Sequence, residues 1–149
     1  MIGIVNNNGY VLIGASSQSM ASYFDNSQYM PMFQTSLMVF SIITRIVNSA
    51  YLLSFTHKTK TIWAFCSFAL AYTIYFTAFY SENLNFGFVL ALICTLIIGT
   101  FTSLGGATVI GFMKGMPPQV ISGFSSGTGM AGISGTSIFL LSDSLGIPF

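Results

Sequence analysis

The chain has 149 residues, of which 53% are hydrophobic and only 5% are charged, and its formal net charge is +1. Ordinary soluble domains carry about 25% charged residues, so this composition excludes a soluble globular domain and indicates an integral membrane protein. It also argues against nucleic acid as a partner, because the few Lys and Arg residues are too sparse to form a basic surface.

Five stretches are long and apolar enough to be considered as transmembrane helices, which need about 20 mainly apolar residues. The predicted spans are 2–24, 31–56, 62–81, 86–112 and 118–141, joined by short connectors. The sequence therefore predicts an all-α membrane protein with a single transmembrane domain over 1–149. Its partners are expected to be the lipid bilayer and a small polar solute, with no cofactor and no metal site.

The first span is the most polar, because it contains three consecutive asparagines. A helix of this kind is expected inside a bundle, where its polar groups find partners, instead of against lipid. At about 100° per residue, four of its residues share one face, namely Asn6, Tyr10, Gly14 and Ser17. We expect this face to point to a cavity or to a partner helix.

The second span contains Arg45, the one charge well inside a predicted span. If the span continues to residue 56, Arg45 lies about 16 Å deep at 1.5 Å per residue, where an unpaired arginine costs at least about 2.5 kcal/mol. Gln34, Ser41 and Asn48 share its helical face, so the stripe is expected to face inward. Three interpretations stay open: Arg45 binds an anionic solute, pairs with an acid in chain beyond this sequence, or caps the backbone carbonyls of a broken helix.

Charges in the connectors predict the orientation. The basic residues lie in connectors 57–61 and 113–117, and the acidic residues Asp25, Glu82 and Asp143 lie in the others. Because Lys and Arg accumulate in cytoplasmic loops, the two basic connectors and the amino terminus are expected to be cytoplasmic. Lys58 and Lys60 are interpreted as topological anchors, and His57 as a surface residue solvated by lipid headgroups.

Two rows of small residues occur at four-residue spacing, a pattern that allows helix backbones to approach closely. One lies in the fourth span and the other in the fifth; their members are Gly99, Ser103, Ala107 and Gly111, and Gly123, Gly127, Ala131 and Gly135. We expect the rows to pack against each other, although either row could serve a helix outside this chain. Ser125, Ser126 and Thr128 project from other faces of the fifth span, where they either bend the helix or line a solute path.

Several motifs resemble the battenin (Batten disease protein) family. The strongest is Ser-Ser-Gly-Thr-Gly-x-Ala-Gly at 125–132, preceded by Pro-x-Val-Ile-Ser at 118–122 and by Ser-Leu-Gly at 103–105. Weaker matches are Asn6 and Asn7 followed by Tyr10, and Arg45 where the family has a lysine. The resemblance covers nearly the whole chain and is strongest over 103–135.

The resemblance implies a fold and a function. The family looks like a branch of the major facilitator superfamily related to equilibrative nucleoside transporters, with two six-helix halves. Its members are multi-pass proteins of lysosomal or vacuolar membranes, linked to glycerophosphodiester clearance and, in fungi, to vacuolar pH and basic amino acids. By this resemblance, the chain corresponds to most of the N-terminal half, and Arg45, Asn48, Ser41, Asn7, Tyr10, Ser125, Ser126 and Thr128 are the candidate substrate-binding residues.

The chain departs from the family pattern at three points. Gly106 stands where the family has Glu, and Gln18-Ser19 stands where it has a His-Asp pair; both changes remove groups that could carry protons or cations. The third departure is length, since a two-half transporter encloses its site between repeats. Five spans look like a fragment or truncated member, whose partner is a missing C-terminal half or a second copy of the chain.

The leading hypothesis is therefore half of a secondary transporter for a small, anionic, polar solute such as a glycerophosphodiester. The alternatives are a non-transporting membrane scaffold, in which the small residues serve assembly, and a fragment of a nucleoside or basic amino-acid transporter. An enzyme is not expected, because Ser125 and Ser126 have no base within the spans that could activate them.

Overall fold

The computed structural model describes residues 2–145, and the side chains of residues 2, 53 and 143 are not part of that description. It contains five α-helices: α1 (Ile2–Tyr23), α2 (Met30–Ala50), α3 (His57–Phe79), α4 (Leu84–Met113) and α5 (Pro118–Ser144). Single turns of 3-10 helix, Ser27–Tyr29 and Leu52–Ser54, lie before and after α2. No strand occurs in the described part of the chain, which confirms the prediction of an all-α fold.

Helix α2 ends earlier than expected. Tyr51 leaves the helical backbone conformation, with φ −124° and ψ −31°, and Phe55 is fully extended. Arg45 therefore lies five residues from the end of α2, or about 7.5 Å at 1.5 Å per residue. The predicted depth of Arg45 along its own helix is wrong, because the segment 51–56 forms a turn that hydropathy does not distinguish from helix.

Two connectors are shorter than expected. Helix α3 begins at His57, so the basic residues predicted to lie in the connector 57–61 occupy the first turns of α3. Helix α5 continues to Ser144, which places residue 143 in its last turn instead of in a connector. Helix α4 begins at Leu84, two residues before the predicted start, and Asn83 caps it, its side chain accepting hydrogen bonds from the backbone N–H groups of Asn85 and Phe86.

Helix α4 lies at the centre of the bundle, between α2 on one side and α3 on the other, and it also contacts α1. Gly99 and Ser103 of α4 face Leu37 and Ser41 of α2 in the same order along both chains, so these two helices are parallel. Helix α3 runs antiparallel to α4, since Gly87 faces Ala78 near one end and Gly111 faces His57 near the other. Successive helices thus alternate in direction.

Helix α5 packs along α1 and barely approaches α4. Gly127 lies against the backbone of Gly3, and Gly135 lies against Val11 and Asn8. The prediction that the two small-residue rows pack against each other is wrong: α4 uses Gly99 and Ser103 against α2, and α5 uses its row against α1.

Not every member of the two rows is in a helix interface. In the α5 row, Ala131 is fully buried, whereas a Cβ at Gly123 would have no atom within 4 Å. In the α4 row, Ala107 is half-buried and exposed Gly111 approaches only the ring of His57.

The apolar core occupies the end of the bundle where α1 ends and α2 and α4 begin. Phe24, Phe33 and Phe88 meet there in edge-to-face pairs with ring centroids 5.5–6.4 Å apart, and the first two are essentially buried. Buried alanines on α3, including Ala71 and Ala78, extend this core along α4. Polar contacts between helices are concentrated toward the opposite end.

Three described segments are long and apolar enough to cross a membrane: Ser27–Ala50, His57–Phe79 and Leu84–Met113. Helices α1 and α5 fall short of that standard of hydropathy, α1 through its asparagines and α5 through its glycines and serines. That all five helices cross the membrane stays a prediction. The two polar helices are also the two that pack against each other.

Candidate functional site

The side chain of Arg45 is held by helix α4. The hydroxyl of buried Ser103 donates to the Ser41 carbonyl at 2.9 Å, so its oxygen is free to accept from Nε of Arg45 at 3.1 Å. An arginine has five N–H donors, and this bond uses one of them. Arg45 is exposed as a residue, and its two Nη groups form no hydrogen bond among the described residues, so they remain available to another partner.

A second cation, Lys60, is bonded to Asn48, the residue three positions after Arg45 on α2. Nζ of Lys60 donates to Oδ1 of Asn48 at 3.1 Å, which joins α3 to α2. Lys60 is only 4% exposed, so the bundle encloses it, and its role as a topological anchor stays a prediction. The signal was in the sequence: Lys60 precedes Ala64, Ala71 and Ala78 on the α3 face that packs against α4.

Asparagine 6 connects α1 to the Ser-Leu-Gly motif of α4. Its Nδ2 donates to the Thr102 carbonyl at 3.1 Å, and its Oδ1 lies over Gly105, where any side chain would collide with it. The bond lies next to Ser103, so the contact between α1 and α4 is at the level of Arg45. A Cβ at Gly105 would displace the end of the Asn6 side chain, so this contact favours glycine through close approach and not through backbone conformation.

The polar faces predicted for α1 and α2 do point to neighbouring helices. Nε2 of Gln34 donates to the Gly14 carbonyl at 2.8 Å and to Oγ of Ser17 at 3.3 Å. With the bonds of Arg45 and Asn48, the α2 stripe therefore contacts α1, α3 and α4. The inward direction predicted for both faces is confirmed.

The remaining candidate residues lie at the same end of the bundle but not in one cluster. Asn7 and Tyr10 are half-buried on α1; Ser125 and Ser126 are exposed on α5, where Thr128 is half-buried. Residues 124–128 pack at the level of Gly3, yet α5 makes no close approach to α2 in the described part of the chain. The structure thus gathers Ser41, Arg45 and Asn48, with Lys60 and Ser103 added, and leaves the α5 hydroxyls apart.

A groove of about 470 Å³ opens between α1 and α3, lined mainly by apolar side chains such as Ile4, Phe65 and Phe68. Asn8 also lines it, and the buried Oδ1 of Asn8 has no hydrogen-bond partner among the described residues. Tyr72 crosses this groove, and a Cβ at Gly9 would lie 2.9 Å from its hydroxyl oxygen. The groove is separate from the cluster around Arg45.

The cluster around Arg45 is electrostatically unbalanced. Asp25 and Glu82 lie in the connectors at the opposite end of the bundle, and over the described residues no carboxylate contacts Arg45 or Lys60. Among the described residues, the acceptors for the two cations are therefore a hydroxyl oxygen, that of Ser103, and an amide oxygen, that of Asn48.

No family model and no solved structure matches the chain. Among curated proteins, the chain is similar to battenin from Dictyostelium discoideum, with 29% identity over 144 residues that cover 93% of this chain and 32% of that protein. The chain therefore spans about a third of the length of this relative. The predicted resemblance to the battenin family is confirmed by this similarity.

Proposed function

We propose, taking the relationship to the battenin family as the premise, that the chain is the greater part of one half of a secondary transporter in a lysosomal or vacuolar membrane. In this proposal all five helices cross the bilayer, in the manner of the N-terminal half of a major facilitator superfamily protein. The amino terminus and the residues at 57–61 and 113–117 lie on the cytoplasmic side. The solute is small, polar and anionic, and a glycerophosphodiester is the leading candidate.

The observation that carries the proposal is the position of the Arg45 side chain and its hydrogen bonding. Its Nε is bonded to Ser103, which is itself bonded to the Ser41 carbonyl, and its Nη groups form no hydrogen bond among the described residues. A planar guanidinium presents paired N–H groups that match the oxygens of a phosphate or carboxylate. An arginine held by one edge, with the other edge open, is suited to bind an anion that arrives from outside the bundle.

The helix pairing of α1 with α5 supports the proposal that both cross the membrane. Each is too polar to be expected alone in lipid, but each covers part of the other at the glycine contact between Gly3 and Gly127. Close backbone contact between small residues is a common way to associate helices in a bilayer. The central position of apolar α4 is consistent with a membrane bundle as well.

Binding of a glycerophosphodiester by the purified chain in lipid nanodiscs tests the proposal. Replacement of Arg45 by Ala is expected to weaken binding at least tenfold, or about 1.4 kcal/mol, because the paired donors are lost. Lys114→Ala removes an exposed cation at the same end and is expected to leave the affinity within about twofold. Equal affinities of wild type and Arg45→Ala would exclude Arg45 as the solute-binding residue and would overturn the proposed function, which rests on it.

The second candidate function is a scaffold that assembles with other membrane helices without transport. It is favoured by the outward face of α5, where added Cβ atoms at Gly129 and Gly132 would meet no atom within 4 Å. Such a face leaves the helix backbone open to another helix, from a second copy or from further chain. Solute flux into liposomes distinguishes the two: flux supports the transporter, and stable oligomers without flux support the scaffold.

A further inference from the structure

Lys60 is an unusual lysine because it is buried without a carboxylate. Its side chain is 4% exposed, and Oδ1 of Asn48 is the acceptor that the described residues provide. An ammonium group has three N–H donors, so two of them lack a protein acceptor there. A buried cation is costly unless it is paired or hydrogen-bonded, which predicts that a further acceptor enters this position.

Lys60 is linked to Arg45 through Asn48, which lies beside Arg45 on the same face of α2. Arg45 and Asn48 are three residues apart, so they are neighbours on the helix surface, and Lys60 lies 3.1 Å from Asn48. Arg45 has its Nε bonded to Ser103 on α4. Arg45 and Asn48, the residue that holds Lys60, are thus within about one helical turn of each other on α2.

A purely structural role for Lys60 would be served better by other side chains. An exposed lysine anchors topology equally well, as Lys58 can, and a neutral side chain would join α3 to α2 without burial of a charge. An anion between the two residues would accept hydrogen bonds from both cations and offset both charges. The same anion then satisfies the remaining N–H groups of both residues.

We propose that Lys60, held by Asn48, is the second cation of the Arg45 site, and that the bound anionic group of the solute is contacted from α2 by Arg45 and from α3 by Lys60. This inference rests on the proposed function and adds to it a residue, a helix and a role for Asn48. Asn48 positions Lys60, and Ser103 positions Arg45. The chemistry recognised is a phosphate group, whether free or esterified.

Binding is measured by calorimetry on the full chain in nanodiscs at constant ionic strength, with a glycerophosphodiester and with inorganic phosphate as probes. Lys60→Met keeps the length of the side chain and removes the charge, and it is expected to weaken binding at least tenfold. Lys58→Met is the matched control, two residues away and exposed, and its affinity is expected to equal that of wild type within about twofold.

Asn48→Asp gives a readout that a structural lysine would not produce. It places a carboxylate beside the Lys60 ammonium, which raises the melting temperature and competes with the solute, so binding is expected to fall at least tenfold in a more stable protein. A higher melting temperature with unchanged affinity would overturn the inference. The same variant decides the matter if Lys60→Met does not fold.

The result for Arg45→Ala separates the two proposals. If Arg45→Ala binds weakly while Lys60→Met and Asn48→Asp bind normally, Lys60 is not part of the site but the proposed function stands. If Arg45→Ala binds normally, or if wild type binds neither probe, the proposed function fails and the inference fails with it. Weak binding by all three variants supports both.

Discussion

Replacement of Gly99 by Ala tests the packing on which the Arg45 site depends. Gly99 lies one turn before Ser103 on the α4 face that contacts α2. A Cβ at this position would lie 2.8 Å from the Leu37 carbonyl oxygen, 3.1 Å from Leu37 Cα and 3.3 Å from Leu37 carbonyl carbon. All three are backbone atoms of α2, so a rotamer change cannot relieve the collision and the two helices must separate.

The magnitude follows from the size of that separation. To reach ordinary contact, α2 and α4 must move apart by about half an ångström, and a gap of 0.5–1 Å forfeits roughly a quarter to a half of each dispersion contact across the interface. Overpacked cores lose typically about 1–3 kcal/mol. We expect Gly99→Ala to destabilise the bundle by that amount and to lengthen the bond between Arg45 and Ser103.

Gly106→Ala is the matched control, since it lies in the same helix and makes the same change in helix propensity. Its Cβ would meet only Nδ2 of Asn6, at 3.5 Å, which is an ordinary contact with a movable side chain. Unfolding in a series of denaturing detergent mixtures, followed by far-ultraviolet circular dichroism, measures the difference between the two variants. Equal stabilities would refute the close approach of α2 and α4, and with it the placement of Ser103 against Ser41.

Two further predictions concern orientation and helix ends. In a Cys66→Ser background, Lys58→Cys and Glu82→Cys are made separately and treated with an impermeant maleimide in sealed vesicles. Because successive helices alternate in direction, the two cysteines are expected to react from opposite sides of the membrane. Labelling of both from the same side would contradict the proposed topology. Asn83→Ala removes both side-chain hydrogen bonds at the start of α4 and is expected to lower the free energy of unfolding by about 1 kcal/mol. Asn85 is exposed, so Asn85→Ala is expected to lower it by less than half of that amount. Equal losses of stability in thermal unfolding would contradict the cap.

The helices and their polar faces were predictable because they depend on local sequence. Long apolar runs predicted α3 and α4 to within a few residues, and the spacing of Gln34, Arg45 and Asn48 predicted a stripe that contacts other helices. Each of these properties follows from helical periodicity alone. The end of α2 was not predictable in this way, since Tyr51 to Phe55 are as compatible with apolar helix as with the turn they form.

Which helix packs against which is a tertiary property, and here sequence reasoning failed. A row of small residues permits close packing but does not determine which helix packs against it. The prediction paired α4 with α5 because they are adjacent in sequence, whereas the structure pairs α1 with α5. The burial of Lys60 was missed for a related reason. A lysine near a helix start is typical of a membrane surface, whereas this one lies on the α3 face that packs against α4 and is bonded to Asn48 of α2.

The pairing of α1 with α5 has a consequence for the order in which the protein can be assembled. The ribosome must make the 94 residues between Tyr23 and Pro118 before α1 can meet its partner, which takes about 5–20 s at typical rates of synthesis. During that time the glycine surface of α1 and its Asn8 amide are without the helix that later covers them. The most polar helix is therefore made first and completed last, so any nascent chain interrupted before α5 leaves α1 as its least stable segment.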